Sequence, residues 1–433
     1  CALPILVRNR HPHIMQAGAS ARERLRVAAA KKWGVSPDQV KAEQGMLSAG
    51  TNNGTYGEFA SAAAAVSLAQ EPKIKSPKDW WLLGKDIPRV DVNLKTDGSA
   101  IYPMDVRVDG MMFAAVKACP VHFGSVKSAN FDVLKGRRGV MGGYILQRTK
   151  EKMSNADLRS AVAVVADSYY RAKTALDLVQ VEWDTSGGNA NLSDEYFESR
   201  AQELLNQEGK AKVVEVRGDP RPILASASKD KVVTADYHRP FECHVPMSTP
   251  SVTVQIRPDR VDVWGTTQNV QAQLLVVADQ LKRDPKEVFV HGVFQGGAFG
   301  LGNHQDCARQ AAELAKQVGK PVQVIWSREE DIAQSRARPP IWARFNAVLG
   351  KDGLPEAMLA RAVGESLQGR YADRGLANQP YMMPHFRFER NEVKSSMYIG
   401  PNRAPGNNNN GFAMEQFVDE MAISGGWDPL DWR

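Results

Sequence analysis

The stretch VFQGGAFGLGNHQD, Val293 to Asp306, sets Gly296, Gly297, Gly300 and Gly302 around one aromatic, Phe299. Glycine admits positive φ and lets a ligand come close to the main chain. Three uses compete: a phosphate cradle, a tight structural turn, or a floor for a large flat cofactor. The stretch follows the apolar run EVFVHGVF and precedes the helix-like CARQAAELAKQ. A helix start therefore lies beside it, with unpaired N–H groups suited to an anion. It is not a P-loop, since no Gly-Lys-Ser/Thr follows, and GGAFGLG lacks the GxGxxG spacing of a dinucleotide site.

Two further residues could act with it. Gln268, in WGTTQNVQAQLLVVADQL, sits at a strand-to-helix corner and can aim an amide at a ligand oxygen; a capping or solvent-facing glutamine is the alternative. Arg403, in PNRAPGNNNNGFAMEQF, stands between two prolines that stiffen the backbone. Such an arginine suits bidentate anion recognition, and a surface ion pair is the alternative. The GNNNNG at 406–411 reads as a loop that tolerates left-handed backbone. His238, Cys243 and His244 resemble metal ligands, but no further ligand follows at helical or hairpin spacing, so no metal is assigned to protein side chains. Phe241, Trp264 and Trp342 are aromatic candidates for a pocket wall and equally for the core. No GxSxG elbow or HExxH helix is present.

The elements that must position these residues come from a chain of 433 residues, long enough for two or three domains. Its 43% apolar and 24% charged residues are those of a globular protein. The net charge of +6 is scattered, with no aromatic-interleaved basic stripe, which argues against a nucleic-acid face. Four cysteines stand far apart, so free thiols are expected, not a cluster or zinc site. No apolar run reaches a membrane span, and the first residues do not read as a signal peptide. The chain lacks an initiator Met and stops just after a helix-like segment, so it reads as part of a longer protein.

Residues 15–34 carry a helical pattern, followed by strand, turn and a second helix, together the segment 1–78. Residues 79–100 read as a surface linker. Residues 101–190 form a small α/β unit, with β-α-β in SAVAVVADSYYRAKTALDLVQVEWD. A polar connection is expected at 191–230. From 231 to 433, alternating strands and two Ala/Leu-rich helices give mixed α/β, an α+β class overall.

TTQN with Gln268, GGAFG with Phe299 thirty-one residues later, and then the RAPG arginine, in that order, resemble the large subunit of the molybdenum hydroxylases, the xanthine dehydrogenase/aldehyde oxidase family. QAGASARERLRVAAAKKWGV, GKDIPRVDVNLKTDGSAIY and FVDEMAISGGWDPLDWR are similar to the branch of isoquinoline 1-oxidoreductase beta subunits and membrane-associated aldehyde dehydrogenases. The resemblance implies an early segment of a molybdopterin-binding lobe at 1–78, an α/β hammerhead domain at 101–190 and a molybdopterin-binding domain at 231–433. It implies molybdopterin with molybdenum, in the cytosine dinucleotide form, with the metal held by the pterin and no iron–sulfur cluster or flavin in this chain. The reaction implied is hydroxylation of an aldehyde or N-heteroaromatic carbon with oxygen from water. Electrons pass to a small [2Fe–2S] subunit and then a cytochrome c, at the periplasmic face of the membrane or, alternatively, in the cytoplasm.

By the same resemblance, Gln268 bonds an oxygen ligand of molybdenum. Gly296, Gly297, Ala298, Phe299 and Gly300 line the pterin, with Phe299 near the reacting centre, and Arg403 anchors the pterin or its phosphate. The family's catalytic glutamate is expected beyond Arg433. Where many relatives have PMEP this chain has Ser248, and where purine-oxidising relatives have a glutamate it has Asn303, which makes a purine substrate unexpected. A cofactor-free scaffold of the same fold and a nucleotide-binding α/β protein are the competing readings.

Overall fold

A computed structural model describes residues 3–148, 158–207, 209–365 and 373–433, with side chains from residue 10 onward. The chain divides into two compact units, Cys1–Ser99 and Ala100–Arg433.

In the first unit the helix Leu3–Trp33 extends well before the expected start at residue 15. Ala28, Ala29 and Ala30 pack against Val40, Leu47 and Phe59. A three-stranded antiparallel sheet, Lys41–Glu43, Met46–Ala49 and Asn52–Thr55, leads into the helix Tyr56–Ala64. Thr55 and Glu58 form its capping box, which satisfies two helix-end N–H groups reciprocally.

The second unit is built on two sheets. The larger has seven strands in the order Val288–His291, Val261–Gly265, Ser251–Ile256, Val322–Ile325, Met112–Ala118, Ala161–Ala166, Val140–Leu146. Strands from 112–166 and from 251–325 thus share one sheet, joined by the parallel pairing of Met112–Ala118 with Val322–Ile325. Ala161–Ala166 is buried at every position, the continuous apolar run of a strand covered on both faces. Helices Val270–Leu281 and Asp306–Val318 pack with Val252, Val254 and Val263 into one core. Helix Tyr169–Leu176 and strand Val181–Asp184 follow Ala161–Ala166 as the pattern predicts. However, Val181–Asp184 pairs antiparallel with Ser125–Ala129 in a separate ladder instead of returning to the sheet.

The second sheet runs Val232–Arg239, Ile341–Leu349, Pro355–Gly364, His385–Glu392, Lys212–Arg217. Residues 191–230, expected as a connection, supply its edge strand Lys212–Arg217 and the helix Asp194–Asn206. The helix Asn407–Ser424 lays Met414, Phe417, Val418 and Met421 on this sheet. Its start corrects the expectation of a loop at 406–411. Gly406, at φ +81, turns the chain, and the asparagines open the helix. Asn409 Nδ2 donates to Pro339 O at 2.9 Å and Asn410 Nδ2 to Arg374 O at 2.7 Å, and these long-range bonds outweigh the residue's weak helix preference.

Buried charges tie the layers together. Asp306, 4% exposed, accepts two bonds from Arg336, at 3.0 and 3.1 Å, and one from Arg159 at 3.3 Å. Burial alone would raise this carboxyl; Arg336 and Arg159 outweigh it and hold the group below the usual carboxylate range. The two guanidinium groups lie over the Tyr398 ring, at 4.0 and 5.2 Å. Glu330, on the helix Arg328–Gln334, accepts the Ala118 N–H at 3.0 Å. Burial pushes its carboxyl up to about 7, against the Ala118 N–H and Arg159 that favour its charge.

Two stability predictions follow from these groups. Asp306→Ala leaves two buried guanidinium groups without their carboxylate and should cost on the order of 3–5 kcal/mol in denaturant unfolding. Glu330 keeps its proton in the folded chain where an unfolded carboxyl has lost it. The folded state is therefore progressively disfavoured as pH rises from the ordinary value toward about 7. Glu330→Gln, free of that linkage, should gain on the parent across this window, by on the order of 3 kcal/mol between unfolding measurements at about pH 4 and about pH 8.

Candidate active site

Strands Val261–Gly265 and Val288–His291 run parallel, and the segments that leave their C-terminal ends meet. Such ends are where open α/β sheets place ligands. From the first strand the chain turns at Thr266–Gln268 into the helix Val270–Leu281, capped by Asn269, whose side chain accepts the Ala272 N–H at 3.0 Å. From the second it runs through the glycine loop to the helix Asp306–Val318. A third segment, 398–406, leads into the helix Asn407–Ser424.

These three segments are stitched by their backbones. Gly300 N–H donates to Gln268 Oε1 at 3.0 Å, and Gln268 N–H donates to Gly302 O at 2.8 Å. Arg403 N–H donates to Phe299 O at 2.7 Å. The structure therefore brings Gln268, Phe299, Gly300 and Arg403 together. Gly300 has φ +121, and a Cβ there would lie 1.8 Å from Pro401 O, so no other residue fits. Phe299 is half-buried and held at φ +54, a strained conformation for a bulky residue and of the kind kept at functional sites. Ala298 is buried, 7% exposed. Gly296 N–H donates to Ser248 Oγ at 3.0 Å, which makes Ser248 a prop for the loop.

Because Gln268 Oε1 is taken by a backbone N–H, the amide orientation is fixed by chemistry, and Nε2 is the end left to donate outward. Gln268 and Arg403 are both exposed. The donor set is an amide N–H, a guanidinium and glycine backbone. It fits an oxygen-rich anionic ligand lying close to the main chain. Among the described residues no group of three or more His, Cys, Asp or Glu could hold a metal ion.

The third segment owes its place to residues that the motifs did not single out. Arg338 donates to Asn402 O at 3.1 Å and Arg403 O at 3.2 Å, and also pairs with Glu242. His244 Nε2 donates to Pro401 O at 2.8 Å while its Nδ1 accepts from Ser335 Oγ at 3.0 Å; burial holds this imidazole neutral. His122 accepts the Tyr398 N–H at 3.0 Å, with its pKa lowered by burial to about 4. His244 drew notice as a metal ligand, and its work here is structural. Gln295 Nε2 donates to Thr267 O, supporting the corner from behind. Of the aromatic candidates, Trp342 is core and stacks on His238, Phe241 packs on Phe197, and Trp264 stacks on His291. Cys119 and Cys307 are buried free thiols, and Cys243 is half-buried; Cys1 lies outside the described residues. No helix among the described residues is long and apolar enough to cross a membrane.

Residues 205–433 match the family model of the molybdopterin cofactor-binding domain. The membrane-bound aldehyde dehydrogenase [pyrroloquinoline-quinone] of Gluconacetobacter polyoxogenes is 26% identical over 84% of this chain and 48% of its own length. The isoquinoline 1-oxidoreductase subunit beta of Brevundimonas diminuta is 24% identical over 96% of this chain and 59% of its own. The chain thus spans about half the length of these relatives. The solved structure of the aldehyde oxidoreductase from Desulfovibrio gigas shares the fold, with TM-score 0.64 at 20% identity over 80% of this chain and 42% of that one. With a family match over more than half of its length and the fold of a molybdenum-hydroxylase large subunit, this chain belongs to the molybdopterin cofactor-binding domain family.

Proposed function

We propose that this chain is the molybdopterin-binding part of an oxidoreductase that hydroxylates an aldehyde or an electron-poor N-heteroaromatic carbon with oxygen from water. The observation that carries the reading is the convergence of three distant segments on Gly300. Its N–H fixes Gln268, the neighbouring Phe299 carbonyl fixes Arg403, and glycines at 296, 297, 300 and 302 bare the main chain between them. The bound cofactor supplies the redox chemistry that lets water oxygen enter the carbon while two electrons leave.

The residues of this chain do the rest. Gln268 Nε2, the end left free to donate, would hold the cofactor through one of its oxygens. Gly296, Gly297, Ala298 and Gly300 would let the pterin lie against the main chain, and its oxygens would meet the Gly297 and Ala298 N–H groups, since those of Gly296 and Gly300 are held by Ser248 and Gln268. Phe299 would shield the bound cofactor from bulk solvent, which strengthens every hydrogen bond inside. Arg403, with its peptide held by Phe299, Arg338 and Asn408, offers its guanidinium to the pterin or its phosphate. The catalytic base is assigned to no residue of this chain. The family resemblance extends the proposal to the cytosine dinucleotide form of the cofactor and to electron transfer through a [2Fe–2S] subunit to a cytochrome c at the periplasmic face.

Metal and cofactor analysis of the protein purified with its partner subunits should find molybdenum and a pterin in equal amounts. Pyrroloquinoline quinone without molybdenum, or neither group, would overturn the reading. In dye-coupled assays over an aldehyde and heteroaromatic panel, Gln268→Ala should lower kcat/KM roughly ten- to a hundredfold, the worth of one hydrogen bond to a charged group. Gly300→Ala, which collides with Pro401 O, should lower the bound molybdenum itself.

A further inference from the structure

We propose that Gln305 is the positioning residue for Gln268. The inference rests on the functional reading above only for its consequence at the cofactor; the geometry stands within this chain.

Gln305 is the N-cap of the helix Asp306–Val318, yet its side chain makes no cap bond to that helix. An N-cap side chain ordinarily meets the second or third N–H of its own helix. Here it reaches back instead. Nε2 donates to Gly302 O at 2.9 Å and to Thr267 Oγ1 at 3.2 Å. Gly302 O is the same carbonyl that accepts the Gln268 N–H at 2.8 Å, and Thr267 Oγ1 also accepts the Asn269 N–H at 3.0 Å. One amide thus bridges the two strand-end segments on either side of Gln268.

Its orientation is set by the loop. A carbonyl oxygen can only accept, so the NH2 end must face Gly302. The cost is visible at the other end, where Gln305 Oε1 is buried with no hydrogen-bond partner among the described residues, in a side chain 1% exposed. A buried acceptor left unmet opposes folding, so the bridge it permits is what the position retains. Gln273 and Gln295 also donate to this corner, at Thr266 O and Thr267 O, but neither touches the glycine loop's carbonyl. Gly302 itself leaves no room for slack: a Cβ there would lie 2.9 Å from both Gln268 N and Gln268 Cγ.

The test compares the full chain with Gln305→Met, which keeps the length and loses both bonds, and Gln305→Glu, which sets a carboxylate oxygen against Gly302 O. Amide hydrogen exchange is followed by mass spectrometry. Peptides covering Gln268 and 299–303 should exchange about five- to thirtyfold faster in either variant, with the strand Ala161–Ala166 unchanged. In the molybdenum-loaded enzyme the loss should fall on kcat more than on KM, as in Gln268→Ala. The double variant Gln268→Ala/Gln305→Met should lose little beyond Gln268→Ala alone, because both act through one amide.

Unchanged exchange at these peptides, or equal acceleration throughout the unit, overturns the inference, as does an additive double variant in the loaded enzyme. Faster local exchange in a protein that carries no molybdenum sustains the positioning role and instead removes the functional reading, so the two failures are distinct.

Discussion

The site depends on one close backbone approach, Gly300 against the Pro401 carbonyl. With φ +121 and 1.8 Å between a notional Cβ and that oxygen, the approach exists only for glycine. It brings the loop and the 398–406 segment near enough for Phe299 O to hold Arg403 N–H, and it turns the Gly300 N–H toward Gln268 Oε1. The positive φ of Phe299, Arg403 and Ala404 is the strain that accompanies this packing. Such strain persists only where surrounding structure over-determines it.

The over-determination comes from below. Asp306 with Arg159 and Arg336, the Tyr398 ring beneath both guanidinium groups, Arg338 on two carbonyls and His244 on a third form one connected polar layer. Its groups are buried, where hydrogen bonds are stronger and unmet partners costlier than in water. An apolar core could hold this segment in place with more freedom of register. A layer of donors aimed at named carbonyls allows one register, which is what a site built from three distant segments requires. The buried imidazoles take part as neutral donors and acceptors, since burial disfavours their charge.

Much of this was legible in sequence. Alternation and short apolar runs marked six of the seven strands of the larger sheet, all but Val140–Leu146, and the Ala/Leu-rich stretches marked both helices that pack on it. The order and spacing of Gln268, Phe299 and Arg403 pointed to one site. The misreadings have local causes. GNNNNG carries weak helix formers, and its helix exists because Asn409 and Asn410 find carbonyls at Pro339 and Arg374. The run after Ala161 has the β-α-β pattern, but the pattern does not say which strand Val181–Asp184 will join. Residues 191–230 looked polar enough for a surface crossing, although Lys212–Arg217 needs only one face buried to serve as an edge strand.

By itself the sequence determined most of the element types, the candidate donors and the family, because these follow from periodicity, glycine placement and motif order, all read along the chain. Only the tertiary structure decided which groups hold the donors in place. Arg159 and Asp306 are separated by 147 residues, and Gln268 and Gln305 share the Gly302 carbonyl although they stand at the ends of different segments. A buried arginine and a surface arginine have the same sequence signature. What separates them is whether packing removes water, and that is settled when the sheets close over the polar layer.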